Sequence, residues 1–143
     1  MKKIILRLSL SGSGGLLGLI GGSLMFTPKS FLEMSAVFVA HDPSLMSELV
    51  APSGILLVTG AFMVLGAFKL RFAYLALSVG AIVYGSYGIG RLVSVGLNGV
   101  PSEALIAAAV IELAIAGFLV SLRLTGGASK QNVAEAYIGG AIV

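Results

Sequence analysis

Long apolar stretches, broken by short polar or proline-bearing segments, set the pattern of this chain. They cover residues 8–26, 44–68, 72–97 and 102–122. Each is close to the ~20 apolar residues a helix needs to cross the hydrocarbon core of a bilayer. The pattern predicts an all-α fold, an integral membrane four-helix bundle over residues 1–124, followed by a tail over residues 125–143. The first span follows Met1, Lys2, Lys3 and Arg7, and superficially resembles a signal peptide. No small-x-small cleavage site precedes Thr27, so the stretch reads as an uncleaved first span. Pro28 ends it. Residues 29–40 place Phe31, Met34 and Phe38 opposite Lys29 and Glu33, which predicts a short amphipathic segment in the outer interface between helices 1 and 2. His41 follows as a solvated loop residue. Asp42 and Pro43 supply an N-cap and a first helical position for the second span. Within that span, Pro52 and Gly54 predict a kink near its outer end. The tail is Gly/Ala-rich and weakly apolar, and is expected to be flexible or to rest on a membrane surface.

The faces of these helices are informative. Gly14, Gly18 and Gly22 repeat at four-residue steps and predict close helix packing, with a homodimer seam or a slot for a lipid as sharper readings. In the third span Tyr84, Tyr87, Arg91, Ser94 and Asn98 fall on one stripe. Glu112 follows the turn of Asn98, Gly99, Val100 and Pro101. Its four-residue neighbours Ala104, Ala108 and Ala116 suggest a small-residue packing face. Arg91 lies roughly 10 Å below Asn98, and Glu112 roughly 16 Å below Pro101, at 1.5 Å per residue. Helical side chains lean toward their own N-terminus, so in an antiparallel pair these two converge. An Arg91–Glu112 ion pair is expected, with Tyr84 or Tyr87 completing its hydrogen bonds. An unpaired charge at that depth costs about 2.5–3.5 kcal/mol on insertion scales. Glu48, one turn before the kink, reads as a hydrated interfacial carboxylate or as a third member of the polar core.

Composition sharpens the class. The chain of 143 residues is 57% hydrophobic and only 10% charged, where a soluble domain carries about 25% charge. Its net charge is +3, but the basic residues other than the intramembrane Arg91 sit at span ends. Lys2, Lys3, Arg7, Lys69, Arg71, Arg123 and Lys130 fall on one side of a four-span arrangement, and Lys29 alone on the other. That is the positive-inside pattern, predicting both termini in the cytoplasm and giving no case for nucleic acid. With no cysteine and one histidine, disulfides, thiolate chemistry and a multi-histidine metal site within one chain are excluded, and no cofactor is expected. Gly88, Ile89 and Gly90 form no nucleotide loop, because no strand precedes them.

The block Tyr87, Gly88, Ile89, Gly90, Arg91 and Leu92 with Ser94, the turn from Asn98 to Ser102, and Glu112 with Leu113 together resemble a family. It is a family of small four-span bacterial membrane proteins classed as a domain of unknown function. Ala51, Pro52, Ser53 and Gly54 match its second-span signature, and the similarity covers residues 6–124. The resemblance implies a bacterial cytoplasmic (inner) membrane location and supplies no activity. In architecture the family is similar to the DoxX-like four-helix proteins, some of which serve membrane redox systems as accessory subunits; such an analogy of fold does not determine function.

These readings converge on a non-enzymatic membrane protein, either an accessory or assembly subunit or a binder of a lipid-like ligand, built around Arg91 and Glu112. The alternative is a small proton-coupled transporter or channel using the same polar core. Catalysis is not expected, because no nucleophile–base–orienter set can be assembled. A purely structural role, fixing helix register, is the plainest reading of the pair. Partners implied are membrane lipids, a membrane-protein partner or second copy, and a lipid or quinone-like ligand.

Overall fold

A computed structural model of the protein describes residues 2–39 and 42–139, and the side chains of residues 3–39 and 42–126. His41 and the side chains of the tail beyond Gly126 lie outside the described residues. The elements are α1 (Lys2–Phe26), α2 (Pro28–Glu33), α3 (Pro43–Val50), α4 (Ser53–Phe68), a 3₁₀ turn (Leu70–Phe72), α5 (Ala73–Asn98) and α6 (Glu103–Gly139). Among the described residues, four helical stretches are long and apolar enough to cross a membrane: Lys3–Phe26, Pro43–Phe68, Leu70–Asn98 and Glu103–Gly126. The chain is a multi-pass, all-helical membrane protein. Large apolar side chains such as Leu19, Val58, Ile82 and Val110 point outward, as they do when the surrounding solvent is lipid.

Two antiparallel helix pairs make up the bundle. α1 packs along α4, α5 packs along α6, and a thinner α4–α5 seam joins the pairs, while α1 barely meets α6. The α1–α4 pair is built on backbone contact. A Cβ at Gly60 would stand 2.6 Å from the Gly14 carbonyl oxygen and 2.8 Å from the Gly18 nitrogen, and one at Gly21 would stand 2.9 Å from the Ser53 oxygen. The close face therefore runs through Gly14, Gly18 and Gly21. Gly22 lies beside it, where a Cβ would meet only the Leu57 side chain at 4.0 Å. The shift has a simple cause: a strict four-residue row drifts around a helix of 3.6 residues per turn.

The second span is interrupted at Ala51 and Pro52, although both keep right-handed helical backbone angles. Pro52 lacks the N–H that would reach back to Glu48, and α3 and α4 end on either side of Ala51 and Pro52. The buried Ser53 hydroxyl donates to the Val50 carbonyl at 2.5 Å, re-satisfying one carbonyl freed at the break. Gly54 plays no steric part, because a Cβ there would meet open space. Asp42 caps α3, accepting from the Leu45 amide at 2.9 Å.

The amphipathic segment is helical only to Glu33. It closes in a Schellman turn: the Val37 amide donates to the Leu32 carbonyl and the Ala36 amide to that of Glu33, each at 3.0 Å. Ala36 takes the left-handed position, φ 58°, that glycine usually fills. Met34 and Phe38 stay exposed at this end of the bundle, and the Ser102 hydroxyl donates to the Ser35 carbonyl at 2.8 Å, tying the segment to α6. At the opposite end Arg7, Lys69, Arg71 and Arg123 gather on exposed positions, and the Tyr74 hydroxyl donates to the Gly126 carbonyl at 3.2 Å.

Contact through glycine makes a direct prediction. Gly60→Ala should push α1 off α4 and destabilise the protein by about 1–3 kcal/mol, as overpacking does. Gly15→Ala, where a Cβ meets nothing, should leave the midpoint unchanged or slightly raised. Thermal unfolding of the two variants in detergent makes the comparison.

Candidate functional site

The site begins with a glycine. At Gly88 a Cβ would lie 2.6 Å from Leu113 Cγ and 3.3 Å from the Leu113 backbone nitrogen, so α5 rests almost directly on α6. One turn further along α5 stands Arg91, and one residue before Leu113 stands Glu112. Arg91 Nε donates to Glu112 Oε2 at 3.0 Å and Arg91 Nη2 donates to Glu112 Oε1 at 3.2 Å. This is the two-pronged arrangement in which a planar guanidinium fits a carboxylate best.

The pair is lopsided. The Glu112 side chain is 12% exposed and that of Arg91 31%. Arg91 also lines a cleft of about 150 Å³ between α5 and α6. Leu92, Ser94 and Val95 of α5 form one wall; Leu105, Ile106, Ala109, Val110 and Leu113 of α6 form the other, with Pro101 at the rim. Leu92 and Val110 are more than half exposed, so the cleft opens sideways, toward lipid, and not only along the bundle axis.

The other predicted site residues divide. Tyr84 is buried, but its hydroxyl donates across the bundle to the Ser13 carbonyl at 2.7 Å rather than to Glu112. The nearby glycines of α1 leave that carbonyl within reach, and the bond joins the two helix pairs. Tyr87 is half-buried and packs on the core; among the described residues it makes no hydrogen bond to the pair. Ser94 lies on the cleft wall and accepts from Asn98 Nδ2 at 3.3 Å. Glu48 is exposed on α3 and takes no part in the ion pair. Of the predicted α6 face, Ala116 is buried and Ala108 half-buried beside the half-buried Glu112, whereas Ala104 is exposed; Ala109 and Leu119 are buried as well. The cleft wall was not among the predicted residues. Leu105, Ala109 and Leu113 do recur at helical spacing, yet the same spacing marks any packing face. Among the described residues, no three His, Cys, Asp or Glu side chains converge on a metal-sized site.

Residues 5–123 match the profile of a family described as a domain of unknown function (DUF4345). The chain belongs to that family. Comparison with curated proteins finds no match, and neither does comparison with solved structures. The matched region of this DUF4345 protein holds both helix pairs, the ion pair and the whole cleft wall.

Removing one partner from a largely enclosed pair leaves an uncompensated charge, which costs about 3–5 kcal/mol, whereas an apolar pair of similar volume is close to neutral. Arg91→Met should therefore lower the thermal midpoint sharply in detergent, and Arg91→Met with Glu112→Leu should recover most of the loss. A double variant as unstable as the single one would mean that the charges themselves hold α5 to α6.

Proposed function

We propose that this DUF4345 protein is a non-enzymatic membrane protein that binds a lipid-like ligand in the α5–α6 cleft, with Arg91 as the polar floor and Glu112 as its counter-ion. One observation carries the reading: the ion pair is exposed mainly on its Arg91 side, and that side lines an apolar cleft open to lipid. A pair serving only to fix helix register has no need of such a cleft. Intramembrane ionisable groups lining cavities are functional candidates by default. The walls supply apolar surface for a chain, and the guanidinium supplies hydrogen bonds for a head, which is the usual division of labour in a small-molecule pocket.

Conduction of protons through the same core has less support. A relay needs successive titratable groups, and the Tyr84 hydroxyl, one turn from Tyr87 on the same stripe, is engaged with Ser13 on the far side. By the basic-residue rule we orient the end bearing Arg7, Lys69, Arg71 and Arg123 toward the cytoplasm of a bacterial inner membrane. The cleft then lies in the outer half of the bilayer. A role as an accessory subunit, presenting or storing the ligand for a membrane partner, fits the short connections between the spans.

Native mass spectrometry of protein extracted gently from its own membranes tests the reading. The wild type should carry a discrete lipid-sized adduct, and Arg91→Met with Glu112→Leu should remain folded and lose it. An adduct retained by the double variant would place the ligand elsewhere.

A further inference from the structure

The charge balance of the cleft says which head group it can take, on the premise that the cleft binds a ligand as proposed above. Arg91 and Glu112 cancel each other, and Arg91 is the only charged side chain among the residues that line the cleft. A guanidinium has five N–H donors, and Arg91 gives two of them to Glu112. The other three have no acceptor among the described residues. Two of them belong to Nη1, which is not buried, since among the described residues no buried side-chain nitrogen lacks a partner; these two donors reach open space, on the side chain that floors the cleft.

What could accept from them follows from electrostatics. An anionic head group would arrive at a site already neutral and leave one net negative charge in a medium of low dielectric constant. An uncharged carbonyl oxygen accepts the same charge-assisted hydrogen bonds and leaves the total at zero. Depth adds a second restriction. Arg91 lies roughly 10 Å below the end of α5 at 1.5 Å per residue, beyond the reach of a head group anchored among the lipid head groups. We infer that the cleft selects an uncharged lipid with a compact carbonyl head, of the ketone or quinone type, and rejects anionic amphiphiles. Glu112 is the positioning residue for this choice: it touches Arg91 and sets the charge that an incoming head group meets.

The test uses the full chain, ¹⁵N-labelled, in phosphatidylcholine nanodiscs. Its readout is the Arg91 Nε–H resonance, identified by its absence from Arg91→Met. Three probes share a twelve-carbon chain: 2-dodecanone, dodecanoate at a pH where the fatty acid is ionised, and dodecane. The ketone should shift the resonance saturably at a concentration about tenfold or more below that needed for dodecanoate, and dodecane should leave it in place. Glu112→Gln, which leaves the Arg91 charge uncompensated, should reverse the preference and favour dodecanoate. If that variant does not fold, the wild-type order alone decides. Equal or tighter binding of dodecanoate by the wild type overturns the selectivity while leaving the binding site standing. A resonance that no probe moves overturns both the selectivity and the ligand-binding reading beneath it.

Discussion

Helices surrounded by lipid gain almost nothing by hiding apolar surface from it, so a bundle like this is held where backbones touch. Gly14 and Gly60 do this between α1 and α4, and Gly88 does it between α5 and α6. The second contact is the one on which the site depends. With a larger residue at position 88, α5 would stand away from Leu113, and the reach from Arg91 to Glu112 would lengthen beyond a two-pronged hydrogen bond. The spacing that permits the pair also borders the cleft, which lies between the helices from Arg91 toward Pro101. One glycine sets both the closed part of the interface and the start of the open part.

The ion pair is costly to bury and yet is not buried evenly. Glu112 is turned inward with both carboxylate oxygens occupied, and Arg91 keeps part of its guanidinium toward the cleft. In a medium that strips water from charges, a carboxylate with both oxygens engaged is well served. A guanidinium with free donors is not, unless something accepts from them. That imbalance is the observation on which the proposed ligand site rests. The neutrality of the pair then limits what can be added to it.

Much of this was legible in the sequence, for reasons that can be traced. Hydropathy shows the spans directly, since the bilayer imposes a length that no soluble core imposes. Arg91 and Glu112 stand out because charges in such runs are expensive, and the lean of helical side chains brings them together. Tyr84 was misassigned because its partner is a main-chain carbonyl, and a backbone acceptor leaves no mark in a list of residue types. Gly22 stood in for Gly21 because four-residue counting ignores the drift of a 3.6-residue helix. The cleft was invisible: Leu105, Ala109 and Val110 spell an ordinary helix face, and only the placement of two helices turns that face into a wall. Ala36 carried no signal either, since alanine does not announce a left-handed turn.

The thin seam between the two helix pairs has a consequence for how the molecule divides its labour. Every residue that lines the cleft, and both members of the ion pair, come from the second hairpin, α5 with α6. The first hairpin reaches the polar stripe chiefly through the Ser13 carbonyl that receives the Tyr84 hydroxyl. It stands as a brace behind the two helices that hold the ion pair and the cleft. Such a joint constrains the brace chiefly where its glycines keep the backbones close, and leaves the ion pair and the cleft wall to the second hairpin alone.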